Sequence, residues 1–352
     1  MEEGKFEWRQ EENKVYIKYN KGEIYFVMPS EWKLSKTHPD LLRLVEYLLF
    51  SPFYLTNIPE HKFTRNPGKK IGLAFSGGID STAAMLLLPE ETELVYHQRE
   101  GFPDTCMSQD NPLYMFKNMK RKVWVIKSNQ EKISEREGNK RGFSTDYCVG
   151  IGVVLMADML GLGYFSTGQM MESTFIRGGY KAREFEKTKF WFEWSEMFKK
   201  AGLELVNPTF PCSEILTNKI VDQSEYKDLA QSCVRGSEGN GCGKCYKCFR
   251  KGMILGKPLK NMSMEIKYTL KKRPLKQAAS LIYAMNKLKL DIPEISEYSE
   301  MKLDFLERYY PPALNLIPDT FRSYIKNKLQ CFGVEPMTKE EQKEMMEFNI
   351  SG

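Results

Sequence analysis

The spacing of apolar residues changes twice along the chain, and these changes divide the sequence into three regions. In the first, alternating polar and apolar residues over 14–19 and 23–28 predict a small antiparallel meander. Apolar residues at helical spacing over 40–50 then predict a helix, and the polar residues 61–69 predict a linker. We therefore expect residues 1–69 to form a β-rich extension that ends in a helix.

The second region begins at Lys70, where short continuous apolar runs replace the alternation. The run over 71–75 predicts a buried strand, which enters a glycine-rich turn and then a helix over 81–88. The same pattern predicts three more strands and one helix, over 94–97, 123–127 and 164–167, and over 144–160. Because strands that alternate with helices indicate βαβ units, residues 70–252 are predicted to be an α/β domain with a doubly wound parallel sheet.

The third region, residues 253–352, is predicted to be a helical extension. Its apolar residues have helical spacing in four segments that prolines separate, namely 276–290, 301–309, 320–329 and 339–348.

Composition and charge predict the compartment of the protein and the state of its cysteines, but they do not identify a binding partner. The chain has 352 residues and a net charge of +6, which is weak evidence for a nucleic-acid partner because basic side chains are common on solvated surfaces. No apolar run approaches the ~20 residues of a membrane span, and the first residues do not resemble a secretory signal. We therefore expect a cytoplasmic protein whose eight cysteines are thiols or metal ligands rather than disulfides.

The glycine-rich turn has the composition of an anion-binding loop, and we call Ser76–Ser81 the glycine loop. Two adjacent glycines let the backbone approach phosphate oxygens, and the start of the following helix favours a negative charge. Asp80 would repel phosphate unless it held Mg²⁺ or bonded to the loop's own amides. A strand-to-helix turn with no ligand is the alternative. The residues we assign to binding are Phe75, Ser76, Gly77, Gly78, Ile79, Asp80, Ser81 and Thr82.

Four cysteines have the spacing of a structural metal site. Cys233, Cys242, Cys245 and Cys248 follow the pattern C-x8-C-x2-C-x2-C, which suits tetrahedral Zn²⁺. An iron–sulfur cluster and four unrelated thiols are the alternatives. Lys244, Lys247, Arg250 and Lys251 are expected to offset part of the charge of the thiolates. The other cysteines, Cys106, Cys148, Cys212 and Cys331, are expected to be packed residues, and Cys212 is not expected to be a nucleophile.

The glycine loop, Ser-Gly-Gly-Ile-Asp-Ser after a predicted strand, resembles the signature of the PP-loop ATP pyrophosphatases. That resemblance implies a fold like the adenine nucleotide alpha-hydrolases and cleavage of ATP between the α- and β-phosphates. Members adenylate a carboxylate, amide or urea-like oxygen, and a nucleophile then displaces AMP. The lysine of kinase-type loops is missing, so transfer of the γ-phosphoryl group is not expected.

Together with the cysteines, the loop resembles the 7-cyano-7-deazaguanine synthase (QueC) family over residues 70–252. Further matches are the segment 96–99, Arg141 as the opening of a helix, Asn207-Pro208-Thr209 with Lys219 downstream, and Ser232 before Cys233. Two departures concern the substrate. Gly142 replaces an asparagine, and the family's substrate stretch after Gly168 is absent.

The resemblance implies roles for individual residues. The glycine loop would hold the β,γ-pyrophosphate, with Phe75 near the nucleoside and Asp80 catalytic. Lys219 would offset charge on the α-phosphate, or be a surface lysine. Arg141 would grip a carboxylate, or be solvated, and Glu172 would be an acid, base or amine binder, or a polar loop residue. The aromatic residues over 190–194 would form a packed helix or a base-stacking platform.

The leading hypothesis is an ATP-dependent carbon–nitrogen ligase. It would use ATP, Mg²⁺ and Zn²⁺ to adenylate a carboxylate of a 7-deazaguanine-like substrate for attack by ammonia or another amine. The amine could belong to a macromolecule, as in related proteins of bacterial defence systems, and a protein partner on the extensions or a homodimer stays open. The alternatives are a PP-loop tRNA sulfur transferase or other nucleobase-modifying enzyme, and a zinc-knuckle binding module with a vestigial ATP loop. Nucleic acid is not indicated by the sequence, and no membrane partner is expected.

Overall fold

The computed structural model describes residues 6–54, 62–102, 107–259 and 261–350. Within them, eight strands form one mixed sheet in the order β1-β2-β3-β6-β5-β4-β7-β10, and β6 to β10 in that order are mutually parallel. The strands are β1 Glu7–Glu11, β2 Lys14–Tyr19, β3 Gly22–Val27, β4 Lys70–Ala74, β5 Glu93–Arg99, β6 Val123–Ser128, β7 Leu162–Ser166 and β10 Glu204–Leu205. A separate hairpin joins β8 Ile176–Arg177 to β9 Lys181–Ala182.

Helices cover both faces of this sheet, as the alternation of strands and helices predicts. They are α1 Pro39–Tyr54, α2 Ile79–Leu87, α3 Asp110–Asn118, α4 Lys132–Arg136, α5 Ile151–Leu155, α6 Ala157–Leu160, α7 Lys189–Lys200, α8 Glu214–Asp222, α9 Tyr246–Ile254, α10 Met264–Leu270, α11 Ala278–Lys287, α12 Asp319–Cys331 and α13 Lys339–Glu347. Neighbouring residues of β4 face opposite cores: Ala74 packs with α1, α5 and α7, whereas Leu73 packs with α2, α8 and α12. The chain is therefore an α/β protein with a mostly parallel sheet.

The N-terminal meander is continuous with the central sheet. Its last strand, β3, pairs antiparallel with β6 through Phe26–Ser128 and Val27–Lys127. Residues 62–69 do not form the free linker that the sequence predicts. His61, the first residue of that predicted linker, lies outside the described residues. Arg65 is 8% exposed and donates to the carbonyls of Leu162 and Gly202, so this segment is pinned to the body of the protein.

The predicted helix over 144–160 is shorter and broken. A 3₁₀ turn at Asp146–Gly150 precedes α5, and α6 follows it. Close packing explains why glycine occupies this segment, since a Cβ on Gly150 would lie 2.2 Å from the ring of Phe165. The prediction of a helix over 301–309 was also wrong, because this segment forms only a 3₁₀ turn at Asp304–Glu307.

The C-terminal helices pack against the sheet region rather than standing apart from it. The Tyr310 amide donates to the Pro211 carbonyl, and the Ser213 hydroxyl donates to Leu306. One core cluster contains residues from 171 to 350. None of the described helices combines the length and the apolar composition that spanning a bilayer requires.

Candidate functional site

The glycine loop lies at the carboxyl end of β4, near the middle of the parallel strands. From β4 the chain continues to β5 on one side and reaches β7 on the other, so β4 stands where the strand order reverses. Ligands of open α/β sheets bind beyond the carboxyl ends of strands at this kind of reversal. The fold therefore places the predicted binding loop where such sheets bind their ligands.

Backbone geometry accounts for the two glycines of the loop. Gly77 has φ +68°, a left-handed conformation that disfavours other residues, and Gly78 is the N-cap of α2. The hydroxyl of Ser81 accepts from the Ser76 amide and donates to the Gly78 carbonyl, which closes the turn. Ser76 is exposed and Gly78 half-buried at the start of α2, which is the positive end of the helix.

A cavity of about 230 Å³ opens beside the loop. Phe75, Ser76, Gly78, Asp80 and Ser81 line it, as predicted for binding residues, whereas Gly77, Ile79 and Thr82 are not part of its wall.

The opposite wall of this cavity is aromatic, and it comes from the ends of β5 and the segment before α5. It is formed by Tyr96, His97 and Phe143. Burial, and to a smaller extent Arg99, lower the pKa of His97 to about 3, so its imidazole is neutral at neutral pH. Nδ1 of His97 is buried and has no hydrogen-bond partner among the described residues. The cavity wall thus combines flat aromatic surface with a buried polar atom that has no partner among the described residues.

Behind the loop, Asp80 belongs to a buried ion cluster. Its Oδ1 accepts from the Thr217 hydroxyl at 2.8 Å and lies 3.2 Å from Nζ of Lys251. Lys251 also pairs with Glu214 at 2.9 Å, and Glu214 pairs with Arg250 at 2.8 Å. We define these five residues as the ion cluster. It fixes one oxygen of Asp80 while the residue still faces the cavity.

Burial and charge act in opposite directions within the ion cluster. Burial alone would raise the pKa of Glu214, but Arg250 and Lys251 outweigh it and lower that pKa to about 2. Burial alone would lower the pKa of Lys251, yet the charges of Asp80 and Glu214 hold that pKa above its usual range. Glu214 is therefore ionised and Lys251 is protonated at neutral pH. The expectation that Arg250 and Lys251 offset the cysteine thiolates was wrong, because carboxylates hold both side chains.

The four predicted metal ligands come together in what we call the knuckle, Cys233–Cys248. Their sulfur atoms all lie within 4.8 Å of one another. Sγ atoms of Cys233 and Cys245, and of Cys242 and Cys248, are 3.9 Å apart. One tetrahedral ion with metal–sulfur bonds of about 2.3 Å places its ligands about 3.8 Å apart. The knuckle therefore has the dimensions for a single metal ion.

The two residues that precede the knuckle form hydrogen bonds with the glycine loop, and α3 forms hydrogen bonds with the knuckle itself. The hydroxyl of Ser232 accepts from the Ile79 amide at 3.1 Å, and the Gln231 amide donates to Gly77. Asn111 of α3 donates to the carbonyls of Cys233 and Asn240. The backbone of the loop is therefore held partly by the segment that carries the first cysteine.

Three residues predicted to be catalytic lie away from the cavity. Arg141 does not open a helix; it lies in a bend after α4, where it contacts Glu135 and the carbonyl of Gly101. Lys219 is exposed on α8, and its ammonium donates to the Gly333 carbonyl at 2.8 Å. The structure gives neither residue a contact with the glycine loop.

Glu172, the third, is fully buried and supports α8. Both carboxylate oxygens accept from the Glu214 amide, at 2.9 and 3.0 Å, and Ser280 also donates to one of them. Burial, and then repulsion from Glu214, raise the pKa of Glu172 to about 7. This carboxylate is occupied in holding a helix start, which is a structural task.

The aromatic segment over 190–194 lies on α7. Trp194 is 6% exposed, the ring of Phe190 stacks on Tyr147 with centroids 5.9 Å apart, and Trp191 contacts Phe210. Only Phe192 of these aromatic residues projects into solvent, with 67% exposure. This segment is a packed helix rather than a base-stacking platform.

The remaining cysteines do not gather at the site. Cys148 and Cys212 are buried, Cys331 is exposed, and Cys106 lies outside the described residues. Burial, and then Glu172, raise the pKa of Cys212, so its thiol stays protonated at neutral pH. Cys212 thus lacks the thiolate that a nucleophile needs.

Sequence reasoning assigned Lys247 and Lys251 to the charge of the thiolates and so missed that Lys247 lines the cavity and Lys251 holds Asp80. They are four residues apart on α9 and therefore share a face of that helix. Lys247 lines the cavity together with Asp80. The spacing of these two lysines, four residues apart from within the knuckle onwards, indicates that they share a face of a helix. Only the packing of α9 on the glycine loop shows that this face points to the site.

One protein family is similar to part of the chain. A family model described as "Family of unknown function (DUF6395)" matches residues 193–349. The match begins within α7, ends beyond α13 and includes the knuckle, but it does not include the glycine loop. No curated protein and no solved structure matches the chain with significant similarity.

Proposed function

We propose that this chain is a PP-loop, ATP-dependent carbon–nitrogen ligase that forms AMP and pyrophosphate. Its acceptor would be a carboxylate or amide of a 7-deazaguanine-like molecule. The acceptor oxygen attacks the α-phosphorus of ATP, and the bond to the β-phosphate oxygen breaks, releasing pyrophosphate. Ammonia or another amine then attacks the adenylated carbon and AMP leaves.

One observation carries this proposal: the glycine loop opens at the end of β4 into a cavity that contains Asp80 and Lys247. Amides at the start of α2 and the hydroxyls of Ser76 and Ser81 suit phosphate oxygens. The Lys247 ammonium adds a positive charge on the other side of the same cavity. The aromatic wall from Tyr96 and Phe143 offers a flat apolar surface of the kind that a nucleobase uses.

Asp80 has a role in this scheme that its surroundings support. Thr217 and Lys251 hold one of its oxygens, so the carboxylate is fixed in the cavity wall without bonding to the loop amides. A fixed carboxylate beside phosphates is suited to Mg²⁺, which takes one or two protein carboxylates together with phosphate oxygens. We therefore assign Asp80 to the metal that accompanies ATP.

We assign Zn²⁺ to the knuckle. The separation of its sulfur atoms leaves room for one ion, whereas an iron–sulfur cluster places several iron atoms between its thiolates. With four protein ligands the ion has no free position, so its task is to hold structure. Through Ser232 that structure includes the glycine loop.

The test is a reaction of the full chain with ATP, Mg²⁺ and 7-carboxy-7-deazaguanine, with and without ammonia, following AMP and product mass. AMP is expected only when the acid is present, and ammonia should convert the adenylate to an amide. Asp80→Asn should abolish AMP formation, and Asp291→Asn, an exposed acid far along the chain, should not.

Two results would contradict the proposal. Unchanged turnover in Asp80→Asn would remove the role of the loop, and failure of the wild-type chain to bind ATP at millimolar concentration would favour a binding module. Because binding is measured separately from turnover, a wrong acceptor is distinguishable from a loop that does not bind ATP.

A further inference from the structure

The positive charge of this protein is concentrated in one short segment. Residues 244–276 contain eleven Lys and Arg against a single acid, Glu265, which gives a net +10. The whole chain has a net charge of +6, so all other residues together carry −4. An excess of this size in 33 residues creates a local positive potential that the overall charge hides.

Part of this charge is neutralised inside the protein. Arg250 and Lys251 belong to the ion cluster, and Arg273 pairs with Glu297. Seven exposed lysines have no ion pair with any residue in the described ranges: Lys244, Lys247, Lys257, Lys267, Lys271, Lys272 and Lys276. We call these seven residues the lysine face.

Hydrogen bonds bring the parts of the lysine face together. Ser263, the N-cap of α10, donates to the Lys244 carbonyl at 2.7 Å, so α10 starts against the knuckle. The Tyr246 hydroxyl donates to the Lys276 carbonyl at 3.0 Å, which returns the chain after α10 to the start of α9. Lys244, Lys267 on α10 and the three lysines that follow α10 therefore lie near one corner of the protein, on the segment that continues to Lys247 at the cavity.

Two apolar side chains project outward among these lysines. Ile266 and Leu270 bury the inner side of α10, whereas Met264 is 80% and Tyr268 is 66% exposed. Nζ of Lys272 lies 4.4 Å from the centre of the Tyr268 ring. An exposed ring flanked by unpaired lysines provides a stacking surface and charges for phosphates within one small area.

We propose that the lysine face binds a single strand of nucleic acid. Its ammonium groups contact backbone phosphates, an unpaired base stacks on Tyr268, and the strand leads past Lys244 towards Lys247 at the cavity. Single-stranded nucleic acid fits because it offers regularly spaced phosphates and accessible base faces at the same time. This inference does not depend on the ATP chemistry, since Lys267, the one lysine of α10, and Tyr268 do not line the cavity beside the glycine loop.

The test is fluorescence anisotropy of the full chain with a labelled oligouridine of about 12 nucleotides, a length in the range of single-strand sites. We expect saturable binding at about 50 mM salt, and affinity should fall steeply with added salt, with a log–log slope of about −0.7 per phosphate contact. Lys267→Glu with Lys271→Glu should weaken binding at least about tenfold and flatten that slope. Tyr268→Ala should weaken it by about fivefold or more and leave the slope unchanged, because stacking releases no ions.

The matched control is Lys326→Glu with Lys328→Glu on α12. Lys328 also lies over an aromatic ring, with Nζ 5.6 Å from the centre of Tyr324, but residues 319–335 carry a net charge of only +1, against +10 over 244–276. These changes should not alter affinity. Circular dichroism of every variant shows whether it is folded, and Tyr268→Phe provides a second variant that keeps the ring and should bind like wild type.

Four outcomes would overturn the proposal. They are no binding at low salt, equal weakening by the α12 control, unchanged affinity in Tyr268→Ala, and tighter binding of duplexes, acidic peptides or phosphatidylserine vesicles than of the single strand. The last two outcomes would show that the lysines attract polyanions generally and that the exposed ring does not select unpaired bases.

Discussion

Asp80 lies between two regions that differ in how their polar groups are paired. Behind it, every charged group of the ion cluster has a partner, and Glu214 is held by both Arg250 and Lys251. In front of it, the cavity leaves Lys247 without an ion pair among the described residues and Nδ1 of His97 without a hydrogen bond. Burying the unpaired Nδ1 of His97 is costly, and Lys247 is an exposed charge on the cavity wall, so the cavity suits a ligand that would pair both groups. We therefore expect changes behind Asp80 to reduce stability and changes in front of it to reduce binding.

The largest effect is expected for Glu214→Gln. The substitution leaves Arg250 buried without a carboxylate, and breaking a buried ion pair on one side costs about 3–5 kcal/mol. Urea unfolding monitored by circular dichroism measures the loss. The double change Glu214→Leu with Arg250→Met should recover much of it, because apolar replacements leave no uncompensated charge. If Glu214→Gln were as stable as wild type, the ion cluster would not be what holds Asp80.

Next in size is the pH dependence that Glu172 introduces. Its carboxyl has a pKa of about 7 in the folded protein, against a usual value of 4.5. Between these pH values the folded protein retains a proton that the unfolded chain has released. The stabilisation is therefore complete below pH 4.5 and is lost as the pH rises to about 7. Over this range the stability of wild type should fall by about 3 kcal/mol relative to Glu172→Gln, which cannot titrate.

The control for this experiment is Glu186→Gln, which removes an exposed carboxylate from the same stretch of chain. It should leave the pH dependence of unfolding as in wild type. A Glu172→Gln protein with the wild-type pH dependence would show that the proton is held elsewhere.

The residue at the border between the two regions is Ser232. It accepts from the Ile79 amide behind the glycine loop and also lines the cavity. Ser232→Ala removes one hydrogen bond, so we expect a loss of about 1 kcal/mol in stability. ATP affinity should fall by about tenfold, because the backbone of the loop is less well fixed.

Calorimetric titration with ATP and thermal unfolding separate these two effects, and Ser232→Thr, which keeps the hydroxyl, should restore both. A chelator that removes the Zn²⁺ we propose for the knuckle is expected to mimic Ser232→Ala, since the same segment carries Cys233. Full ATP affinity in Ser232→Ala would mean that the knuckle does not position the loop.

The two regions also differ in how far the sequence predicts them. The strand β4, the glycine loop and the knuckle follow from local patterns, because their signals lie in adjacent residues. The ion cluster joins Asp80 to Glu214 and Arg250, which are more than 130 residues away along the chain. No spacing rule connects residues that meet only through tertiary packing. The same limit explains Arg141 and Lys219, whose directions depend on segments from elsewhere in the sequence.

The smallest change in stability and ATP affinity is expected for Lys219→Met. This variant tests whether Lys219 has the role that the family resemblance implies or the one that its position in the structure indicates. Resemblance assigns this lysine to the α-phosphate, whereas the structure directs its ammonium outward to the Gly333 carbonyl. Loss of one exposed contact should change stability by no more than about 0.5 kcal/mol. ATP affinity should stay as in wild type, whereas Lys247→Met should weaken ATP binding because Lys247 lines the cavity. Equal weakening in both variants would place Lys219 in front of Asp80 when ATP is bound, and α8 would then have to turn on binding.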